Sequence, residues 1–377
     1  MRNTAFIMLI FFAFGLFSHS SEERPRMREW GIKTGILKPG QWNAITDVEG
    51  VKVGHVTLIK GKNIRTGVTA VLPYDGNIYQ EKVPAAVYIA NGYGKLTGFT
   101  QVEELGNLET PVILTNTLSV PTAAEALIEY TLSLPGNEGV FSVNAVVGET
   151  NDGWLNDIRG RHVKKEHVIQ AIKKAGSGAV EEGCVGAGTG TICYGYKGGI
   201  GTSSRVLPSS RGGYTVGVLV QTNHGGILQI NGLPLGKNLG RYYMKKDLEE
   251  EREGSCMMVV ATDAPLDSRN LKRLAKRALL GIPRTGGFYS NGSGDFAIAF
   301  STAKGLRVPH RAKSPTQNME ILRNRQMSPL FLAAAEAAEE AILNSMFKAR
   351  AMEGKDGRRI EALPLDKVKK IMEQGLK

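Results

Sequence analysis

The feature that most constrains the fold is an abrupt change from a charged run to a continuous apolar run. Residues 245–253 read KKDLEEERE, and after Gly254 and Ser255 the chain continues as the apolar stretch 256–262. A continuous apolar run of this length is typical of a strand that is covered on both faces. The pattern predicts that Ser255 lies where a solvated loop enters the core, as the first residue of an interior strand.

The Gly254–Ser255 peptide bond is therefore a candidate cleavage site. If it were cut, Ser255 would carry both a hydroxyl and a new α-amine. An α-amine has an unperturbed pKa of about 7.7–8.0, so it can act as the base for its own hydroxyl near neutral pH. Gly254 has no Cβ and suits a tight or unusual turn. The alternative interpretation is an ordinary Gly-Ser loop, and the dipeptide alone does not decide between the two.

Composition restricts the classes of function. The chain has 377 residues, of which 42% are hydrophobic and 22% charged, as in a globular protein. The net charge of +11 would permit a nucleic-acid partner, but the basic residues are dispersed, so we expect none. No pair among the three cysteines has metal-ligand spacing and the six histidines are scattered, so we expect no metal and no cofactor. Cys184 and Cys193 could form a disulfide or remain buried thiols, which leaves Cys256 unpaired.

The N-terminal residues 1–20 have the pattern of a secretory signal peptide. Arg2 precedes the apolar run 5–17, and the small residues Ser18 and Ser20 follow it. The run is shorter than the ~20 residues that a membrane-spanning helix needs. We expect cleavage after Ser20 and export to the periplasm or medium as one domain, residues 21–377, without stable membrane insertion. An uncleaved anchor is the alternative.

Hydrophobic patterning predicts both strands and helices. Strands are expected at 66–73, 85–90, 111–116, 140–148, 215–222, 256–262 and 296–301. Helices are expected at 121–133, 165–175, 267–280, 329–352 and 365–374. The helices lie between clusters of strands without the regular alternation of a doubly wound sheet. This order predicts an α+β fold in which helices cover sheets.

Polar residues stand at the ends of several of these strands. Glu149 ends one strand and Asn223 another, while Ser293 and Asp295 precede a third. An asparagine amide can donate to a developing oxyanion, an interaction typically worth ~3–4 kcal/mol. Ser293 and Asp295 are two positions apart, so on an extended chain they point the same way. Alternatively, Glu149 caps a turn and Asn223 satisfies nearby backbone groups.

Five ordered motifs carry a resemblance to a known family. They are 43–55 (NAITDVEGVKVGH), 148–157 (GETNDGWLND), 220–225 (VQTNHG), 254–265 (GSCMMVVATDAP) and 293–301 (SGDFAIAFS). In this order they resemble the DmpA family of N-terminal-nucleophile serine aminopeptidases, which includes L-aminopeptidase/D-esterase/amidases and β-peptidyl aminopeptidases. The resemblance extends from about residue 30 to about residue 345.

The resemblance implies a four-layer αββα sandwich that is also found in ornithine acetyltransferases. It implies a precursor that cuts itself between Gly254 and Ser255 into an α and a β chain, and that assembles as a homo-oligomer. The implied substrates are small peptides, amides or esters with a free amino group.

The resemblance also implies roles for individual residues. They are Ser255 as nucleophile, Ser293 and Asp295 as its supporting hydroxyl and carboxylate, Asn223 as oxyanion donor, Glu149 as anchor for the substrate amine, and Asn151 at a variable substrate-binding position. Asp295 stands where β-peptidyl members carry the longer glutamate.

Three alternatives stay open at the level of sequence. One is β-peptidyl specificity within the same family. Another is an acyltransferase of the ornithine-acetyltransferase type, against which Ser255 in place of threonine and the export signal both argue. The third is an inactive secreted protein.

Overall fold

A computed structural model describes residues 23–244 and 254–375. The predicted signal peptide, residues 1–20, and the charged run 245–253 lie outside the described residues. The strands are β1 (Lys52–Lys60), β2 (Ile64–Leu72), β3 (Glu81–Gly92), β4 (Leu96–Thr97), β5 (Asn107–Leu108), β6 (Val112–Asn116), β7 (Val146–Thr150), β8 (Ile192–Cys193), β9 (Tyr196–Lys197), β10 (Ile200–Val206), β11 (Thr215–Asn223), β12 (Ser255–Thr262), β13 (Gly294–Ser301), β14 (Val308–Pro309), β15 (Met352–Glu353) and β16 (Arg359–Ile360). The helices are α1 (Phe99–Leu105), α2 (Val120–Leu132), α3 (Lys165–Lys173), α4 (Leu235–Asn238), α5 (Ser268–Ala278), α6 (Gly281–Arg284), α7 (Met327–Lys348) and α8 (Leu365–Gly375).

Two sheets form the centre of the molecule. One has the order β1-β2-β6-β7-β4, and the other has the order β10-β11-β12-β13-β3-β14, with β5 beside β3. Strand β12 runs antiparallel to β11 and parallel to β13. All eight residues of β12 are buried, which explains why its sequence is continuously apolar rather than alternating.

Apolar side chains form three cores around these sheets. The core between the sheets contains Val146, Leu219, Met257 and Ile298. The core between the seven-stranded sheet and helices α5 and α7 contains Val218, Met258, Leu274 and Ala337. The core between the five-stranded sheet and helices α2 and α3 contains Val68, Ile113, Leu127 and Val168. The predicted α+β class, with helices covering sheets, is confirmed.

The alanine-rich helix α7 packs directly on β10 and β11. A Cβ at Gly201 of β10 would stand 2.0 Å from the carbonyl oxygen of Ala341, so the helix backbone approaches the strand as closely as glycine allows. Helix α5 begins where the Asp267 side chain accepts a hydrogen bond of 2.9 Å from the backbone N–H of Asn270. The first contact brings α7 close to the seven-stranded sheet, and the second fixes the start of α5.

A buried ionic cluster joins α7 to β10 and to the N-terminal segment. The guanidinium of Arg205 lies 2.7 Å from Glu340 Oε2 and 3.2 Å from Glu336 Oε2. Arg28 Nε lies 2.7 Å from Glu340 Oε1, to which the Asn43 amide also donates at 2.6 Å. Each charge in this cluster therefore has an opposite charge or a hydrogen-bond donor.

The predicted helices are confirmed, with ends shifted by a few residues. The predicted strand over 140–148 is wrong in its first half, because the strand begins at Val146 and Phe141 is fully exposed. The Gly- and Ser-rich strand β10 was not predicted, because its burial depends on α7 rather than on its own apolar residues. All three cysteines are free thiols, so the Cys184–Cys193 disulfide is absent from the structure. Within the described ranges, no helix combines the length and hydropathy that crossing a membrane requires.

Candidate active site

Three neighbouring strands bring the predicted catalytic residues together where the strands end, at one edge of the seven-stranded sheet. Ser255 is the first residue of β12, and it pairs with Asn223 of β11 on one side and with Gly294 of β13 on the other. The Gly294 backbone N–H donates to the Ser255 hydroxyl oxygen at 3.2 Å. The prediction that Ser255 opens an interior strand is confirmed.

Gly254 fits its position because it has no side chain. A Cβ there would stand 2.6 Å from the Cα of His224 and 2.9 Å from the carbonyl oxygen of Asn223. Both are backbone atoms, which cannot move aside as a flexible side chain would. Gly254 does not need an unusual φ, so close approach rather than turn conformation explains the glycine.

The side chain of Asn223 is held in one orientation. Its Oδ1 accepts a hydrogen bond of 3.0 Å from the Ile192 backbone N–H, and its Nδ2 donates to the Asn151 carbonyl oxygen at 3.0 Å. An amide nitrogen has two N–H groups, so one donor remains for a ligand. Asn151 itself is exposed, and its side chain accepts from the Gly153 N–H at 2.9 Å. The structure thus has the Asn151 backbone positioning Asn223.

Asp295 is fully buried beside the start of β12, and it pairs in register with Cys256. Side chains alternate along a strand, so Asp295 shares the helix-covered face with Ala297, whereas Ser255 shares the inter-sheet face with Met257. Asp295 therefore approaches β12 from the face opposite the Ser255 hydroxyl. The backbone nitrogen of residue 255 belongs to the strand backbone between these two faces.

Burial raises the pKa of Asp295 to about 6. The Ser293 hydroxyl and the Cys256 backbone N–H oppose this shift of the pKa, although neither makes a regular hydrogen bond to the carboxylate. Both carboxylate oxygens thus lack a hydrogen-bond partner in the described part of the chain. The Ser293 carbonyl accepts hydrogen bonds from the Tyr93 backbone N–H at 3.3 Å and from the Asn91 side chain, which anchor this turn.

Glu149 lies at the end of β7 in the other sheet, with its side chain 3% exposed. Its Oε1 accepts from the Lys95 backbone N–H at 3.0 Å, and its Oε2 accepts from the Thr117 hydroxyl. The Lys95 ammonium lies 3.9 Å from Oε1. Burial raises the pKa of Glu149, while the Thr117 hydrogen bond and the Lys95 charge oppose that increase.

The two sheets meet where Glu149 approaches the Ser255 edge. A Cβ at Gly148 would stand 2.4 Å from the Met257 side chain, so β7 and β12 pack closely at this level. A Cβ at Gly94 would stand 3.0 Å from Glu149 Oε1 and 3.8 Å from the Cα of Gly294. Glu149 and the β12–β13 edge therefore flank the same short loop.

Sequence reasoning missed two residues that support this site. Thr117 and Lys95 hold the Glu149 carboxylate, although they are 32 and 54 positions away from it in the chain. Asp152 is buried, its Oδ1 accepts from the Asn156 side chain at 2.9 Å, and burial raises its pKa to about 7. The strand-end position of Thr117, after the parallel strand β6, was a usable signal for its approach to β7.

His224 of the third motif faces away from this chemistry. Its Nε2 lies 3.1 Å from the Tyr194 hydroxyl, and burial lowers the pKa of the imidazole to about 4. Within residues 23–244 and 254–375, no group of three or more His, Cys, Asp or Glu side chains could hold a metal ion. The arrangement at the sheet edge combines a hydroxyl, an amide donor and two buried carboxylates, which are groups suited to acyl transfer from an amine-bearing substrate.

Comparisons with known proteins agree in family and fold. The profile of peptidase family S58 matches residues 43–360. The β-peptidyl aminopeptidase BapA of Sphingosinicella microcystinivorans is 41% identical in an alignment that covers 94% of this chain and 93% of that protein. A crystal structure of a Pyrococcus horikoshii OT3 protein is 50% identical with a TM-score of 0.86, and the match covers 94% of this chain and 100% of that chain.

A second solved structure is informative because its activity is known. The L-aminopeptidase D-Ala-esterase/amidase of Ochrobactrum anthropi is 36% identical with a TM-score of 0.86, covering 93% of this chain and 99% of that chain. That enzyme is described as a prototype for the serine aminopeptidases and as a variant of the Ntn hydrolase fold.

Proposed function

This chain belongs to peptidase family S58, and we propose that it is an exported aminopeptidase whose nucleophile is Ser255, generated by cleavage of the chain before that residue. The observation that carries the proposal is the register of three strands. It aligns Asn223, Ser255 and Gly294 at one sheet edge, next to the loop that contacts Glu149. In the proposed precursor, the scissile bond follows Gly254, a position where the backbone of Asn223 and His224 leaves no room for a Cβ.

The proposed maturation converts one peptide bond into a base and a nucleophile. The Ser255 hydroxyl attacks the Gly254 carbonyl carbon, the C–N bond breaks, and the acyl group passes from the Ser255 nitrogen to its oxygen. Water then hydrolyses this ester, which leaves a carboxylate on Gly254 and a free amine and hydroxyl on Ser255. The new amine forms beside Asp295, whose carboxylate oxygens have no partner among the described residues of the uncut chain, and the protonated form of that amine would pair with this carboxylate.

The proposed peptidase reaction uses the same groups again. The Ser255 amine takes the proton of its hydroxyl as the oxygen attacks the substrate carbonyl. The free N–H of Asn223 donates to the oxyanion, and the amine returns the proton to the leaving nitrogen. Water then hydrolyses the acyl-enzyme. Glu149 binds the substrate ammonium through a charge-assisted hydrogen bond, which restricts cleavage to the first residue of the substrate.

Specificity for β-peptides is the second candidate, and the identity with a β-peptidyl aminopeptidase supports it. A β-amino acid places one more methylene between amine and carbonyl, so the span from Glu149 to Ser255 decides which substrates fit. The acyltransferase alternative receives no support from a peptidase-family match.

The remaining expectations belong to the same proposal. The three stacked cores support a four-layer αββα sandwich. Export with removal of residues 1–20 rests on the N-terminal sequence pattern alone. A homo-oligomer is expected from the family resemblance, and no nucleic-acid partner or cofactor is proposed.

Intact-mass spectrometry with N-terminal sequencing tests the proposal. We expect two chains from the native producer, one starting after residue 20 and the other with the sequence Ser-Cys-Met-Met. Ser255→Ala should yield one uncut chain without activity on H-Ala-p-nitroanilide, the matched control being Ser209→Ala at an exposed site. A Ser255→Ala protein that is cut and turns over normally would exclude Ser255 as nucleophile, and a larger chain that starts at Met1 would exclude signal removal.

A further inference from the structure

The Glu149 carboxylate already has a cation beside it in the unliganded chain. Lys95 immediately precedes β4, whose antiparallel register pairs Leu96 with Gly148, the neighbour of Glu149. The backbone N–H of Lys95 donates to Oε1 at 3.0 Å, and its ammonium lies 3.9 Å from the same oxygen. One residue therefore contacts Glu149 through two separate groups.

These two contacts differ in how easily they break. The backbone contact belongs to a loop held by the β4–β7 pair and by the close approach of Gly94 to Glu149. The ammonium sits on a flexible four-carbon stem, and the side chain is 54% exposed. The ammonium can leave Glu149 for solvent while the backbone hydrogen bond stays in place.

The Lys95 side chain ends in the same chemical group as the substrate that Glu149 is proposed to bind. Both are primary ammonium ions, R–NH₃⁺, with three N–H donors. Each oxygen of Glu149 accepts one hydrogen bond from the protein, on Oε1 from Lys95 and on Oε2 from Thr117, so each retains acceptor capacity for one more donor. The Lys95 ammonium lies near Oε1, one of the two oxygens that can still accept a hydrogen bond.

We propose that Lys95 is a resident counter-ion of the amine subsite, which the substrate ammonium must displace from Glu149 in order to bind. This inference rests on the proposed role of Glu149 and extends it to a residue that sets affinity. While the site is empty, Lys95 supplies a positive charge beside the buried Glu149 carboxylate. Without that charge, the carboxylate would have only its hydrogen bonds. When a substrate binds, the exchange of one ammonium for another keeps the charge balanced, and Lys95 swings into solvent. Lys95 thus lowers affinity for every amine and is a residue that sets binding strength rather than a catalytic one.

Steady-state kinetics with three variants tests the proposal. Lys95→Gln removes the competing charge, Lys95→Arg keeps it, and Lys304→Gln removes an exposed charge beyond the other end of β13 as the control. The substrate is H-Ala-p-nitroanilide at about pH 8, and the competitive inhibitor is methylammonium chloride. An exposed ion pair is worth at most about 1 kcal/mol, so we expect KM and the inhibition constant of methylammonium to fall roughly two- to five-fold in Lys95→Gln.

The other measurements separate this role from a structural one. The kcat of Lys95→Gln should stay within about two-fold of wild type, and Lys95→Arg should return KM towards the wild-type value. Lys304→Gln should change neither constant. An unchanged or increased KM in Lys95→Gln would overturn the inference, since an increase would mean that Lys95 attracts substrate instead of competing with it.

The wild-type protein distinguishes failure of the inference from failure of the proposed function. If wild type does not prefer the free amine over N-acetyl-Ala-p-nitroanilide, Glu149 is not an amine anchor and both proposals fall. If wild type prefers the free amine but Lys95→Gln binds methylammonium no better, the inference on Lys95 alone is wrong.

Discussion

Two groups of buried carboxylates in this chain differ in the cations and hydrogen-bond donors that surround them. Glu336 and Glu340 on α7 meet the guanidinium groups of Arg205 and Arg28 at short range. Glu149 and Asp295 lie at the Ser255 edge of the sheets, where the nearest cation to Glu149 is 3.9 Å away and Asp295 has no hydrogen-bond partner in the described ranges. Burial is nearly complete in both places, so the difference lies in the partners.

The pKa values of Glu340 and Asp295 follow their partners. Burial acts to raise the pKa of Glu340, but the Arg28 hydrogen bond and the Arg205 charge outweigh burial and hold the pKa below its ordinary value. Burial prevails at Asp295 and raises its pKa to about 6. A carboxylate with close cationic partners joins elements of the fold, whereas we propose that a buried one without them receives its partner later, from the substrate or from the new Ser255 amine. Variants in the two groups should therefore affect different properties.

The largest expected effect is on stability, from Arg205→Met. This change would leave Glu336 and Glu340 buried without their shared guanidinium. Breaking a buried ion pair from one side typically destabilises a protein by ~3–5 kcal/mol. Urea unfolding at neutral pH should show this loss, while the KM of the fraction that remains folded should match wild type.

A compensating variant tests the reason for that loss. Adding Glu336→Gln to Arg205→Met removes the carboxylate that has lost its cation, whereas Glu340 keeps Arg28, so part of the lost stability should return. A loss below about 1 kcal/mol in Arg205→Met would mean that the cluster is not energetically distinct from a surface ion pair.

The next effect is on selectivity, from Glu149→Gln. The amide keeps the size of the side chain but removes the charge that a substrate ammonium would meet. Losing one partner of a buried charge pair should weaken the preference for H-Ala-p-nitroanilide over its N-acetylated form by ~2–5 kcal/mol. Unlike Arg205→Met, this variant should not lower the free energy of unfolding and should still be cut before Ser255. An uncut Glu149→Gln chain would favour the turn-capping interpretation of Glu149.

The smallest effect concerns the pH dependence of stability. It is measured in the uncut chain, by comparing Ser255→Ala with a double variant that also carries Asp295→Asn. Because the folded-state pKa of Asp295 is about 6 and the unfolded value is about 3.9, the folded state holds its proton to higher pH. Its deprotonation should therefore reduce stability as pH rises from about 4 to about 6. Asparagine lacks that loss, so Asp295→Asn should be more stable at pH 7 by up to about 3 kcal/mol.

Urea unfolding between about pH 4 and pH 8 measures this difference. In the cut protein the Ser255 ammonium should supply a partner for Asp295, so the same substitution should there give a smaller gain. Equal pH profiles with and without Asp295 in the uncut chain would contradict the comparison.

The sequence predicted the elements whose burial is visible in their own residues. The continuous apolar run 256–262 predicted β12 and the position of Ser255 at its start, and both are confirmed. The strand β10 escaped prediction, since Gly201, Arg205 and its serines are buried by α7, which lies more than a hundred residues later. The error at 140–145 has the opposite cause, because an apolar segment there is left exposed, as Phe141 shows.

The same distinction between local and distant residues applies to the candidate site. Its strand-end residues could be chosen from local pattern, but the contacts that tune them could not. Lys95 and Thr117 reach Glu149 from positions next to the ends of β4 and β6, and the position of Asp295 on the face opposite Ser255 depends on the parallel register of β12 and β13. Register is a property of paired strands, so a single run of residues does not contain it.

Because Ser255 lies between two paired strands, the mature two-chain protein would not readily reassemble once it had unfolded. Chain ends usually fray, but a new end at Ser255 would be held by β11 on one side and β13 on the other, in the interior of a sheet. The two fragments would then stay together as firmly as the intact fold does. Once they were separated by unfolding, their reunion would require a bimolecular encounter instead of a single chain folding on itself. The working lifetime of such an enzyme would be set by its unfolding rate rather than by an equilibrium.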